Sequence, residues 1–292
     1  MRTRSELREA LADAPRPLGL VTTMGWLHDG HRALMRRARD DSASTVATIF
    51  VNPRQFNEAS DYTRYPRNEA HDIAICESEG VDIVFAPGVE EIYPPGFDTT
   101  VSVGAVAQPL EGSARPGHFD GVATVVAILF DLVGADRAYF GQKDAQQVMV
   151  IRQMARDLAI RTEVVTCPTV REPDGLALSS RNVHLSPEQR AAATVLRRAL
   201  TAARDAWASG ERSGDRLRSG MREILATEPL AAVDYVSVAD NATLEELDTV
   251  DRPALASMAV RFGETRLIDN EILDASAEGD PGTEVRPQVY GG

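Results

Sequence analysis

An α/β fold built on an open, mostly parallel sheet is predicted for this 292-residue chain by three observations. Apolar runs of strand length alternate with amphipathic helical stretches from residue 18 to residue 167. The run at 44–51 is a continuous stretch rich in β-branched residues, as suits a strand covered on both faces. Three polar turns, at 24–31, 52–56 and 141–147, each follow such a run. They therefore lie on one rim, at the carboxyl ends of the strands, where open α/β sheets bind ligands. The expected architecture is a Rossmann-like open parallel sheet over residues 1–169 and a smaller α+β C-terminal domain over 170–274. Residues 275–292, rich in glycine, proline and acidic residues, read as a disordered tail.

Taken in order, residues 3–13 read as a short helix with a polar face, and 18–23 as the first strand. Residues 33–39 continue the 24–31 turn as an amphipathic helix. After the second strand, residues 66–80 carry helical periodicity and stop at Gly80. The next strands are expected at 81–87 and 99–103, with a proline-rich loop between them. Residues 111–121 contain three glycines and read as a flexible loop feeding an apolar helix over 122–133. A strand at 136–140, a helix from 144 onward and a strand at 161–167 close the first domain. The polar stretch 171–182 opens the second. A long helix starts at Pro187 and runs from 191 to 208, and another spans 215–226. Strands follow at 233–238, 255–262 and 265–268.

Composition narrows the function. The net charge of -13, with no basic tail or stripe, argues against a nucleic-acid partner. A local basic pocket for a small anion remains open. The longest apolar run, 122–130, is far shorter than the roughly 20 residues of a membrane span, and the N-terminus has no apolar core of a signal peptide. The chain is expected to be soluble and cytoplasmic, with no membrane partner. Cys76 and Cys167 sit in apolar settings and read as buried free thiols. No Cys/His spacing suggests structural zinc.

The chemistry centres on residues 24–31. His28 and His31 lie three apart where a strand gives way to a helix, so they share a face about 4.5 Å apart along the axis. Helix N-termini offer free N–H groups and partial positive charge, which suit phosphate. Taken alone, the pattern is equally consistent with one histidine capping and the other packing. Lys143 adds a second signal. Of the 31 basic residues it is the single lysine, and the others are all arginine. Its compact ammonium offers a point charge that guanidinium does not, as in phosphate-binding lysines. No G-x-G-x-x-G follows the first strand, and no Ser or Thr follows Lys143, so neither common phosphate-loop fingerprint is present. A phosphate site must be assembled from the histidines, Lys143 and the Ser179-Ser180-Arg181 run.

That combination resembles the nucleotidyltransferase superfamily that carries a His-x-Gly-His motif. Whole segments resemble the pantothenate synthetase (pantoate–β-alanine ligase) family more closely. They include Thr23-Met24-Gly25 through His31, Asn52-Pro53 with Gln55-Phe56, and Arg64-Tyr65-Pro66-Arg67. Further on come Arg115-Pro116-Gly117-His118-Phe119, Gly141-Gln142-Lys143-Asp144 with Gln146-Gln147, the 174–182 stretch and Arg266 through Asn270. The match runs in order over about residues 18–270.

The resemblance implies an ATP-dependent ligase. It would join pantoate to β-alanine through a pantoyl-adenylate, releasing pyrophosphate and then AMP, with Mg²⁺ accompanying ATP. It implies that His28, His31, Lys143 and Arg181 act in catalysis, with His31 the proton donor. Met24, Gly25, Trp26, Leu27, His28, Asp29, Gly30 and His31 would bind ATP. So would Gly141, Gln142, Lys143, Asp144, Val170, Leu178, Ser179, Ser180 and Arg181. Gln55 and Gln147 would hold pantoate, and Gln55 also β-alanine. A homodimer is implied as well. No metal ligands are assigned.

Cations suit this reaction, because a carboxylate must approach a phosphate and the developing charge needs partners. The 111–121 and 174–182 stretches are candidate lids that keep water from the adenylate. His71 reads as structural or exposed, and Asn52 and Tyr65 as pocket supports. The chain departs from the family pattern at Thr22, where proline is usual, at Ala145, where an aromatic is usual, and at Leu178, where methionine is common. Another small-molecule adenylyltransferase would share the histidine corner without the glutamine pair. A non-catalytic nucleotide sensor would need neither the second histidine nor the Ser-Ser-Arg run.

Overall fold

The computed structural model describes residues 1–57 and 59–274, so the expected tail at 275–292 lies outside the described residues. Five parallel strands form the first sheet: β1 (Leu18–Thr23), β2 (Ser44–Ile49), β3 (Ile83–Phe85), β4 (Arg137–Gly141) and β5 (Glu163–Cys167). Their order is β3-β2-β1-β4-β5. The chain winds outward from β1 in one direction and from β4 in the other, so the topological switch point lies between these two strands. Leu18 registers with Ser44 and Thr23 with Ile49 on one side of β1, and Val21 registers with Tyr139 on the other.

Side-chain alternation supplies both faces of this sheet. Leu20, Val46, Ala138 and Phe140 face a core made with the His118–Val133 and Ala145–Asp157 helices. Their neighbours Val21, Ala47 and Tyr139 face the opposite way, against Met35 and Ala38 of the Asp29–Asp41 helix and Ile75 and Cys76 of the Glu69–Ser78 helix. Helices on both faces explain why the strand runs carry so few charged residues. Cys76 and Cys167 are buried free thiols, and burial raises each to about 11.

A second sheet is antiparallel, with β6 (Ala232–Asp240), β7 (Ala254–Phe262) and β8 (Thr265–Leu273) in sequential order. It packs on the Val195–Ala208 and Gly214–Leu225 helices around its own apolar cluster. Polar and ionic pairs cross between the two parts. Glu111 accepts two bonds from Arg266, at 2.7 and 2.8 Å, and Asn270 bonds both the side chain and the backbone of Gln142 at 3.1 Å. Asp269, buried, takes a two-pronged pair from Arg171 at 2.6 and 2.9 Å.

Four expectations need correction. No strand forms at 99–103, where the Val101 N–H donates to Thr124 Oγ1 instead of to a neighbouring strand. The 111–121 stretch is not a flexible loop. A short helix covers Glu111–Ala114, and the next helix begins at His118 rather than 122. The glycines there permit close packing, since a Cβ on Gly112 would lie 1.8 Å from Ala107 O and one on Gly121 would lie 2.3 Å from Arg54 O. The helix after Pro187 is two helices, Pro187–Ala192 and Val195–Ala208, parted where the Thr194 hydroxyl bonds Ala191 O at 2.8 Å. β8 runs past residue 268 to Leu273, because Asp269 and Asn270 find buried partners that local hydropathy does not reveal.

Candidate active site

β1 ends at Thr23, whose hydroxyl donates to Thr48 O at 2.7 Å and accepts from the Gly25 N–H at 3.2 Å. Gly25 and Trp26 then adopt left-handed backbone, with φ of 80° and 52°. Asp72, buried on the Glu69–Ser78 helix, holds this turn. Its carboxylate accepts the Trp26 N–H at 2.9 Å and the Leu27 N–H at 2.8 Å. A Cβ on Gly25 would meet Asp72 Oδ2 at 2.8 Å, so glycine suits this position by both conformation and space.

The clamp delivers His28 to the N-cap of the Asp29–Asp41 helix. His28 Nδ1 accepts the Gly30 N–H at 3.1 Å, and His31 Nδ1 accepts the His28 N–H at 3.3 Å. With both Nδ1 atoms accepting, the hydrogen-bond pattern assigns the proton of each ring to Nε2. The ring centroids are 4.2 Å apart. Burial, then the charge of Lys143, pushes His28 down to about 4. Burial, then His28, pushes His31 down to about 3. At neutral pH the corner therefore holds two neutral imidazoles, each presenting an Nε2–H donor at a helix N-terminus.

This has a pH consequence. Both histidines titrate lower in the folded chain than at their ordinary value of 6.5, so the unfolded chain binds more protons as pH falls below that value. The stability they contribute is complete above pH 6.5 and is lost toward pH 4. Between pH 6.5 and pH 5 each site accounts for about 2 kcal/mol, from 1.36 kcal/mol per unit over 1.5 units. His31→Asn is expected to flatten the fall in urea midpoint between pH 7 and pH 5. An unchanged slope would contradict the buried neutral assignment.

Across the switch point, β4 runs into Gly141-Gln142-Lys143-Asp144. Lys143 is mostly buried, and its Nζ lies 3.6 Å from Asp144 Oδ1. Burial opposes ionisation of Asp144, but Lys143 and Arg181 outweigh it and hold the carboxyl below its ordinary value. Beyond β5, Ser179 Oγ accepts the Arg181 N–H at 3.2 Å and shapes the Ser-Ser-Arg turn. On the remaining side, buried Asn52 donates to Gln55 Oε1 at 2.9 Å and to Gly121 O at 3.0 Å. The Asn52 contact fixes the Gln55 amide, and its NH₂ group has no partner among the described residues.

These stretches enclose one cleft of about 1450 Å³, open mouth included. Its lining includes the cations Arg115, Lys143 and Arg181, the imidazoles of His28 and His31, and the amides of Gln55 and Gln147, with an apolar wall of Val122, Val125, Val126 and Leu129. A locally cationic cleft thus sits inside an acidic chain.

The family model described as pantoate-beta-alanine ligase matches residues 1–272. The chain belongs to the pantoate–β-alanine ligase family. Curated relatives named pantothenate synthetase include one from Roseiflexus sp. (strain RS-1), 60% identical over 273 residues, covering 94% of this chain and 98% of the relative. The relative from Chloroflexus aggregans is 60% identical over 272 residues, covering 93% and 98%. Among solved structures, pantothenate synthetase from Thermus thermophilus superposes with a TM-score of 0.90 at 50% identity, covering 94% of this chain and 99% of that one. The Francisella tularensis pantoate-beta-alanine ligase, solved with β-γ ATP and β-alanine, gives 0.76 at 32% identity, covering 94% and 97%.

Of the residues that resemblance to the ligase family points to, the cleft gathers Met24, His28, Gly30, His31, Gly141, Lys143 and Asp144. It also gathers Val170, Leu178, Ser179, Ser180, Arg181, Gln55 and Gln147. Five others stand apart from its lining. Gly25, Trp26 and Leu27 form the Asp72-clamped turn behind it, and Leu27 is buried in the core. The Asp29 side chain is 73% exposed and faces Arg32 at 3.5 Å. Gln142 is occupied by Asn270. Thr22 is an ordinary ladder residue registered with Thr48, so the turn's rigidity comes from Thr23 and Asp72 rather than from a proline. Ala145 is buried with Leu244 and Leu255 at the seam between the two parts. His71 is exposed.

Sequence reasoning missed Asp72 and placed Arg115 and His118 in a flexible loop. Asp72 reads as one more polar residue on a helix, and only its position beneath the turn shows its use. His118 is buried, and burial pushes it down to about 4, with Arg115 adding to the effect. It contacts Gln55 O through Nδ1 at 2.8 Å.

Proposed function

We propose that this cleft joins pantoate to β-alanine at the expense of ATP, in two steps that share one pocket. The observation that carries the reading is a single cleft whose lining combines cations and imidazole donors with two neutral amides and an apolar wall. The pantoate carboxylate attacks the α-phosphorus of ATP, the bond to the β-phosphate breaks, and pyrophosphate leaves. The amine of β-alanine then attacks the acyl carbon, the bond to AMP breaks, and the nitrogen loses a proton as the amide forms. In the first step two anions must meet. Lys143, Arg181 and the two Nε2–H donors offset that repulsion and stabilise the charge that develops on the phosphate oxygens. Gln55 and Gln147 bind the pantoate hydroxyls without fixing its carboxylate, and the valine and leucine wall accommodates its dimethyl carbon.

Magnesium enters as the partner of ATP. A magnesium ion of this kind is typically held by substrate phosphates and water with one or two carboxylates. The C-terminal part, from residue 170 to 274, supplies Ser179 through Arg181 and acts in this reading as the cover over the triphosphate. A cytoplasmic setting, which the buried free thiols suit, and a homodimer, which the family resemblance implies, complete it. No helix among the described residues is long and apolar enough to cross a membrane.

The test is pyrophosphate release from Mg-ATP, first with pantoate and then with β-alanine added. Pantoate alone is expected to give a burst of about one pyrophosphate per site, and β-alanine to convert it to turnover. Release that ignores pantoate would overturn the assignment.

A further inference from the structure

Tyr93 closes the short helix Val89–Ile92 in the proline-rich stretch after β3, and it is not among the residues that line the cleft. Its ring is set by its surroundings. It packs edge-on against Phe97, with centroids 5.0 Å apart, and tilted against Phe50 at 6.2 Å. The Arg54 guanidinium stands 5.5 Å from its centroid and is itself tied to Thr100 Oγ1 at 2.7 Å. So placed, the Tyr93 hydroxyl lies 2.7 Å from Oδ1 of buried Asn52.

Two backbone groups settle which way round the Asn52 amide stands. The Arg54 N–H can only donate and meets one side-chain atom at 3.2 Å, so that atom is Oδ1. The Gly121 carbonyl can only accept and meets the other at 3.0 Å, so that atom is Nδ2. The Tyr93 hydroxyl therefore donates to Oδ1, and Nδ2 donates to Gln55 Oε1 at 2.9 Å. Both N–H groups and both lone pairs of the Asn52 amide are thereby spent. By the same logic Gln55 turns its oxygen to Asn52 and keeps its NH₂ group for the cleft it lines. The Gln55 backbone carbonyl is pinned separately, by Arg115 Nη2 at 3.2 Å and His118 Nδ1 at 2.8 Å. Burial raises the Tyr93 hydroxyl above its ordinary value, so it keeps its proton at neutral pH.

We propose that Tyr93 is a positioning residue that, through Asn52, holds the Gln55 amide donor-side toward a hydroxyl oxygen of pantoate; this rests on the two-step reading above. An amide free to turn offers a substrate its oxygen as readily as its NH₂ group. With Oε1 spent on Asn52, Gln55 offers donors, and a pantoate hydroxyl oxygen accepts. Tyr93 touches no reacting atom, and its effect reaches the substrate through two hydrogen bonds.

Tyr93→Phe removes the hydroxyl alone and keeps the ring packing, so the chain is expected to fold with little change in thermal midpoint. In pantoate-dependent pyrophosphate exchange its KM for pantoate is expected to rise about five- to tenfold, the size of one hydrogen bond lost from a buried network. The KM for ATP and the rate at saturation are expected to stay within about twofold. The loss should fall on hydroxyl recognition. 2-Deoxypantoate and 4-deoxypantoate each lack one hydroxyl, and as competitors in the exchange both should bind the unaltered protein more weakly than pantoate does. Tyr93→Phe should shrink the preference for pantoate over one of the two by about the same five- to tenfold factor. The proposal is overturned if the variant leaves the KM for pantoate unchanged, if the KM for ATP rises as much, or if affinity for pantoate and for both deoxy analogues falls equally. Absence of pantoate-dependent exchange in the unaltered protein would instead overturn the underlying reading.

Discussion

Lys143→Ala is expected to slow pantoate-dependent pyrophosphate release by about 100-fold or more, the scale of losing one charge partner of a transition state. Lys143 is mostly buried in the cleft, close to Asp144 and across the switch point from the histidine corner. Its backbone carbonyl is anchored by Asn270 Nδ2 at 2.9 Å, so the second sheet helps place it. Removing the ammonium leaves Arg181 as the other cation aimed at the triphosphate end. Lys143→Arg is not expected to restore the rate, because a planar fork in that enclosed space cannot act as a compact point charge. Thermal denaturation should change little for either variant, which separates chemistry from folding. Near-normal turnover in Lys143→Ala would show that the lone lysine of an arginine-rich chain has no catalytic use.

Asp72→Ala is expected to lower both stability and rate. The substitution strands the partly buried N–H of Trp26 and the buried N–H of Leu27, at a cost of about 3 kcal/mol in urea unfolding. It also releases the left-handed turn that aims His28 and His31. A misplacement of about 1 Å there is enough for a loss near 100-fold in pyrophosphate release. Asp72→Asn keeps one acceptor oxygen, which can serve one of the two N–H groups, and should recover about half of the stability loss. Unchanged activity in Asp72→Ala, with the protein folded, would show that the corner is held by Thr23 alone.

The glycines of 111–121 show where local reading fails. Three glycines in eleven residues look like a mobile loop when only neighbours in sequence are considered. Gly112 and Gly121 are there because the backbone of Ala107 and of Arg54 passes within reach of any Cβ. The same composition thus means flexibility or close packing, depending on segments that lie far away in sequence. A lid built on that stretch does not fit its burial at Glu111, His118 and Phe119. Likewise, Asp269 and Asn270 interrupt the hydropathy of β8 and shorten the strand predicted there, until Arg171 and Gln142 are brought against them.

By itself the sequence determined the α/β class, the strand-to-helix corner, the lone lysine and the family. Each depends on periodicity, on residue identity at short spacing, or on segments kept in order, and all of these are local properties of a chain. Tertiary structure alone decided that Asp72 clamps the corner, that Gly25, Trp26, Leu27, Asp29 and Gln142 stand behind or beside the cleft, and that Arg115 and His118 both meet the Gln55 carbonyl. Those facts arise from elements far apart in sequence meeting at the β1–β4 switch point. Charge, burial and hydrogen-bond supply at a site are sums over such neighbours, and short spacing in the chain does not contain them.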